Sequence, residues 1–306
     1  MRDNLLKSKL HFSRVCVHLV AEEDCELPEF TGSLLRGAFG HALKKAFCVM
    51  HHRDCGSCLV SNSCGYFQVF ESMSDTYKSM GFHYKSHPYI IIPSTKNVFM
   101  KDDILKFKLT MFGEYKKYIP YFVYAFQLMG ELGFGKNRHK FSLLSVTDDL
   151  SKEEIYEEGR LFPEKIINTS LQLYTNAVPQ LGEVLPVEFV TPARFAEKGK
   201  TVSNLNGDLL LASMVRRYSM MNTFYGEYVQ EDVDSLEINL QPIQREKYVS
   251  WKRYSNRQNK HVPQGGILGI YNILNPKEKL YKFIKTMEVL HIGKNTSFGL
   301  GQIKVG

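Results

Sequence analysis

No uninterrupted apolar run in this 306-residue chain approaches the ~20 residues needed to cross a bilayer. The opening M-R-D-N-L-L-K-S-K-L also lacks the apolar core of a secretory signal. A soluble, cytoplasmic protein with no membrane partner is therefore expected. Two further patterns are missing: a nucleotide-phosphate loop and a cluster of acidic residues of the kind that holds a catalytic metal, which makes a metabolic enzyme remote. Acidic residues are in the minority, 32 against 39 Lys and Arg, and the resulting formal charge of +7 favours a polyanionic partner. Signs of disorder are absent as well. With 43% hydrophobic and 12% aromatic residues, the chain has enough apolar material for real cores, and its length suggests about two domains.

What is present is organised around the stretch Glu288 to Val305, E-V-L-H-I-G-K-N-T-S-F-G-L-G-Q-I-K-V. A helical pattern runs into Gly293, and a loop then holds Lys294, Asn295, Thr296 and Ser297 before Gly299, Gly301 and a short strand-like run. Glycines at this density let a backbone turn tightly and approach another molecule closely, and a cation with small donors between them suits phosphate or ribose. A shorter copy, G-F-G-K-N-R-H-K-F, occupies Gly133 to Phe141, again between an apolar helical segment and an alternating run. The chain reads as built twice.

The pattern of periodicities supports that reading. A strand over Leu10 to Val20, a helix from a Ser33 cap, strands at Tyr89–Ile92 and Leu105–Met111, a helix at Ile119–Leu132 and a strand from Phe141 give the order β-α-β-β-α-β. Strands at Leu185–Thr191, Ile243–Tyr254 and Ile267–Leu274, helices at Asp208–Phe224 and Pro276–Leu290, and a closing strand repeat it. The predicted class is α+β, with tandem ferredoxin-like (RRM-like) domains at 1–147 and 183–306 joined by a polar linker at 148–182.

On the first helix, Leu34, Leu35, Ala38, Phe39, Ala42, Leu43, Ala46 and Phe47 fall in pairs four apart and form one buried stripe. Arg36, Gly37, Gly40, His41, Lys44 and Lys45 lie opposite. Such a face is either a histidine among cations, kept bare by glycine for a phosphodiester, or an ordinary solvated surface. Cys48, Cys55, Cys58 and Cys64 follow directly, with a C-x-x-C pair around Gly56. That spacing predicts a four-cysteine structural zinc knuckle inserted in the first domain, with His51 or His52 able to replace one thiol and an iron–sulfur cluster as the other metal reading. Cys16 and Cys25 are read as ordinary thiols. Near the other end, W-K-R-Y-S-N-R-Q-N-K-H from Trp251 to His261 interleaves cations with rings, a mixture that suits single-stranded nucleic acid as well as a soluble hairpin.

Taken together, L-L-R-G-A-F-G-H-A-L-K-K, the cysteine segment, Y-F-Q-V-F-E, V-E-F-V-T-P-A-R-F, R-Y-S-N-R-Q, Q-G-G-I-L-G and H-I-G-K-N-T-S-F-G-L-G-Q resemble the CRISPR repeat-processing endoribonucleases of the RAMP superfamily. The resemblance spans nearly the whole chain. It implies an enzyme that binds the repeats of a CRISPR precursor transcript and cuts each once, yielding guide RNAs for an effector complex. Cleavage in such enzymes needs no catalytic metal: the 2′-hydroxyl attacks the neighbouring phosphate, leaving a 2′,3′-cyclic phosphate and a 5′-hydroxyl. Position, a base and charge stabilisation suffice for an intramolecular nucleophile. The resemblance points to His41 as general base or acid, with Lys44 or Lys45 stabilising the phosphorane. RNA contacts are expected from Arg36, Lys136, Asn137, Arg253, Arg257, Lys294, Asn295, Thr296 and Ser297. The alternatives are a noncatalytic RAMP subunit that coats RNA and a zinc-knuckle nucleic-acid-binding module.

Overall fold

The structure, a computed structural model, describes residues 8–50, 54–71, 85–197, 199–227, 235–242, 246–255 and 260–306. Two compact units emerge, one of residues 11–169 and the other of Ser170–Gly306 together with the N-terminal residues to Leu10. Among the described residues, no helix is long and apolar enough to cross a membrane.

In the first unit, strand β1 (His11–Ala21) buries Val15, Val17, Leu19 and Ala21 and turns Arg14, Cys16 and His18 to the other face, the two-residue period of a half-covered sheet. Helix α1 (Gly32–Phe47), β2 (Tyr89–Ile92), β3 (Ile104–Phe112), α2 (Ile119–Leu132) and β4 (Phe141–Asp148) follow. The strands pair antiparallel in the order β2-β3-β1-β4. Phe39 ties the layers together: its ring meets Tyr89 of β2 at 5.4 Å and Phe122 and Phe126 of α2 at 5.5 and 5.8 Å. Edge-to-face and offset contacts of this kind add to the burial of large rings.

The polar stretch 148–182, expected as a linker, instead begins inside this unit. Strands β5 (Glu154–Glu157) and β6 (Arg160–Leu161) extend the sheet beyond β4. Buried Asp148 fastens them, accepting hydrogen bonds from the amides of Leu150 (2.9 Å), Ser151 (2.8 Å) and Ile167 (3.1 Å). Short amphipathic pieces of this size carry too little periodicity to announce themselves in the sequence.

The second unit comprises β7 (Val184–Ala193), α3 (Gly207–Tyr225), β8 (Leu240–Pro242), β9 (Lys247–Ser255), β10 (Lys260–Leu274), α4 (Glu278–Leu290) and β11 (Ile303–Val305). Its sheet runs β8-β10-β7-β11, all antiparallel, with β9 also paired to β10. The strand expected over Ile243–Tyr254 is found as β9 alone, with β8 preceding it on the same partner, and residues 243–245 lie outside the described residues. Asn206 caps α3, its Oδ1 accepting from the Leu209 amide at 2.8 Å. The first unit therefore shows the β-α-β-β-α-β order, and the second shows that framework with additional short strands, each around an antiparallel sheet.

Candidate functional site

Helix α1 divides its polar residues between two environments. Gly40, expected on an open face, is buried, because the Phe70 ring packs onto it: a methyl group there would lie 2.0 Å from Phe70 Cζ. Gly37 has nothing within 4 Å of the equivalent position. His41 and Lys45, one turn apart and both exposed, follow Gly37 at successive four-residue steps. They form the open face.

Arg36 and Lys44 are drawn elsewhere. The Arg36 guanidinium lies 4.0 Å over the Phe70 ring, and its Nη2 is 3.1 Å from His87 Nε2. Stacking on a ring and a nitrogen acceptor in one place holds a guanidinium firmly. Arg36, predicted on RNA, thus anchors α1 to the Phe70–His87 cluster. Lys44 sits 5.8 Å from the Tyr66 ring and close to the Cys55 thiol. Burial pushes that thiol up, and Lys44 offsets part of the rise. Tyr66, itself raised by burial and by nearby Glu71, donates to Glu71 Oε1 at 3.2 Å. His87 escaped the sequence reading, since nothing in its local pattern signals a partner 51 residues away.

Cys48, Cys55, Cys58 and Cys64 are all free thiols lining one concavity of about 370 Å³, walled by Phe47, Tyr118 and others. The expected zinc knuckle is nevertheless not assembled: among the described residues no three His, Cys, Asp or Glu side chains gather closely enough to hold a metal. Local turns order this segment, with the Cys58 amide on the Cys55 carbonyl at 3.4 Å and the Cys64 amide on that of Ser61 at 3.2 Å. His51 and His52 lie outside the described residues.

In the second unit the glycine loop is a clasp. His291, Asn295, Gly293, Gly299 and Gly301 all have positive φ, and a methyl group on Gly301 would lie 1.8 Å from the Ile292 carbonyl oxygen. The Lys294 amide donates to the Arg194 carbonyl at 2.9 Å, and the Gly301 amide to that of Pro192 at 3.0 Å. Thr191 completes the join, its hydroxyl donating to the Gly299 carbonyl at 2.7 Å and accepting from the Gln302 amide at 2.9 Å. The T-P-A-R segment is thereby stitched to the loop, which explains why the two motifs occur in one chain. Buried Arg217 braces it from beneath, donating Nε to the Leu290 carbonyl at 2.9 Å at the end of α4.

This stitching exposes Lys294, half-buries Asn295 and buries Thr296 and Ser297. Arg194, which sequence reasoning passed over, reaches the Pro263 carbonyl at 3.5 Å and the Thr201 hydroxyl at 3.3 Å. It joins the glycine loop to the β9–β10 hairpin, so Lys294 and the hairpin share one region of this unit. In that hairpin Arg253 stands opposite Val262 in β9, and Arg257 lies outside the described residues. Lys136 and Asn137 of the first loop are exposed, but they border a concavity shared with Asp24 and Glu26, and His139 pairs with Glu23 at 2.9 Å. Carboxylates there make the first loop a poorer seat for phosphate.

Comparisons with known proteins match two family models, one to each part of the chain. Residues 10–170 match the AF_1859_N family model, described as an N-terminal domain, and residues 187–303 match that of the CRISPR-associated endoribonuclease Cas6. An uncharacterized protein of Archaeoglobus fulgidus is 23% identical over 98% of this chain and 96% of its own length. Among solved structures, a Cas6 product complex (13% identity, TM-score 0.55) covers 96% of this chain and 99% of that one. A Thermus thermophilus Cas6 (14%, TM-score 0.53) covers 98% and 100%. A partial Cas6-RT-Cas1–Cas2 complex (12%, TM-score 0.60) covers 99% of this chain, which spans about half, 47%, of that longer one. At these identities the likeness to solved structures is one of fold.

Proposed function

We propose that this chain, whose residues 187–303 match the CRISPR-associated endoribonuclease Cas6 model, is a Cas6-like protein that cleaves CRISPR precursor RNA once within each repeat. Two ferredoxin-like units fit that role. The 2′-hydroxyl attacks the adjacent phosphate and no metal takes part, so the products carry a 2′,3′-cyclic phosphate and a 5′-hydroxyl. The observation that carries the reading is the exposed pair His41 and Lys45 beside bare Gly37 on α1. His41 takes the 2′-hydroxyl proton or returns one to the leaving oxygen. Lys45 stabilises the phosphorane in preference to Lys44, which is half-buried with its ammonium beside the Tyr66 ring. Exposed Lys294 and the β9–β10 hairpin hold the RNA backbone, and the mature guide RNA passes to an effector complex. The protein works in the cytoplasm, where its substrate is transcribed.

The test is cleavage of end-labelled repeat RNA in chelator by the wild type and His41→Ala. Loss of roughly 10²–10⁴-fold in rate with binding retained is expected. Normal cleavage by the variant would sink the assignment. A second reading, a noncatalytic RNA-binding subunit, is favoured by one observation: among the described residues no hydrogen-bond partner orients the His41 ring, whereas a catalytic base is ordinarily held by a third group. Tight binding without a cut by either protein would select it.

A further inference from the structure

Helix α2 fills the core from one side only. Phe122, Ala125, Phe126 and Met129 are buried, whereas Tyr121 and Tyr124, three residues apart and so on one face, are 44% and 49% exposed. Tyr121 is held in place: Phe47, the last residue of α1, stacks on its ring at 4.1 Å and 17°, and Tyr118 meets Phe47 edge-on at 5.5 Å. A ring already fixed loses little freedom when something stacks on it. Cations border these rings. Exposed Lys117, four residues before Tyr121, has its Nζ 5.3 Å from the Tyr118 ring. On α1, exposed Lys45 precedes Phe47 by two residues. His41 stands six residues before Phe47, about 9 Å along the helix axis. Toward the far end of α2, Gln127 donates to Glu131 at 2.9 Å, and that carboxylate limits how far a phosphate backbone can follow the helix.

We propose that Tyr121 and Tyr124 form a stacking platform for unpaired bases of the repeat RNA beside the cut, with Lys117 on the adjoining phosphate. The proposal rests on the RNA-binding part of the cleavage reading. Rings interleaved with cations hold a single strand without reading its sequence, because every base has a π-face and every nucleotide a phosphate. A protein partner fits less well: the other exposed residues of this face are Lys117, Pro120, Gln127 and Glu131, which do not extend the rings into an apolar patch. Stacked bases fix where the sugar–phosphate chain runs relative to His41, and in-line attack depends on that alignment. Tyr121 and Tyr124 are thus positioning residues.

The test uses 2-aminopurine, whose emission is quenched when it stacks, placed in turn at each unpaired nucleotide of the repeat RNA. The cut is mapped first with all-ribose RNA, and the cleavage nucleotide then carries 2′-deoxyribose so that binding is read alone; if nothing is cut, the all-ribose RNA is used directly. Quenching is expected at one or two adjacent positions. Tyr121→Ala and Tyr124→Ala should each abolish it at one position and weaken affinity about tenfold. Tyr124→Phe, which keeps the ring, should restore both, and Tyr124→Ala should keep the wild-type melting temperature, which separates lost stacking from lost folding. Alanine variants with wild-type affinity and quenching would overturn the platform and leave the face to a protein partner, whether or not cleavage occurs. Tight wild-type binding with no quenching at any position, or no rescue by Tyr124→Phe, would overturn it as well. Quenching that the alanine variants lose, with all-ribose RNA left uncut by the wild type, would keep the platform and fail the cleavage reading alone.

Discussion

Two glycines on one helix, three residues apart, do opposite things. Gly40 is required because the Phe70 ring lies where any side chain would stand, whereas Gly37 faces open space. Gly40→Ala should therefore destabilise the protein by about 1–3 kcal/mol through overpacking. Gly37→Ala should instead raise stability by roughly 0.5–1 kcal/mol, the helix preference for alanine. Chemical denaturation of both variants checks the contrast; equal effects would mean that Phe70 does not pack on the helix. The same division sorts the cations. Arg36 and Lys44 reach inward to the Phe70, His87, Tyr66 and Cys55 cluster, and Lys45 remains beside His41. From sequence all six residues share a face, because helical periodicity reports direction but not which neighbour lies there.

At the scale of elements, the glycine loop after α4 separates a rigid frame from an exposed tip. Gly301 combines φ +71° with an immovable carbonyl 1.8 Å from any added methyl, so Gly301→Ala should destabilise the protein by at least about 1–3 kcal/mol. Lys294→Ala should leave the melting temperature unchanged. Its effect belongs to binding: weaker RNA affinity and a salt dependence of log K reduced by about one. A Lys294→Ala variant with the wild-type salt slope would remove this loop from the RNA interface. The loop's existence was legible from its glycines, and its partner was not, since Pro192 and Arg194 lie about a hundred residues earlier in the chain. Thr296 and Ser297 look like ligands in the sequence, yet the clasp buries them. The short strands β5 and β6 were equally hidden, because their order comes from Asp148 and from an existing sheet edge.

For the molecule as a whole, pH offers a handle on the first unit. Burial, with Lys106 beside it, holds His18 below the ordinary histidine value of 6.5, and its Nδ1 is 3.3 Å from Ser145 Oγ. A histidine held down in the folded state favours folding while neutral, so its contribution is complete above pH 6.5 and is lost as pH falls through the lowered value. Stability should decline on acidification below neutrality, and His18→Gln should flatten that part of the profile, as denaturant midpoints between about pH 7 and 5 will show. An unchanged profile would place the acid sensitivity elsewhere. The sequence by itself determined the helix-and-strand framework of the two halves, the apolar stripe of α1, the two glycine loops and the cysteine spacing, because each is a local pattern of period, turn or composition. Only the tertiary structure decided that Gly40 is packed and Gly37 bare, that Lys45 and not Lys44 accompanies His41, and that the four thiols ring a concavity without closing on it. Those outcomes depend on side chains brought from distant positions, and no local pattern encodes which residue will arrive.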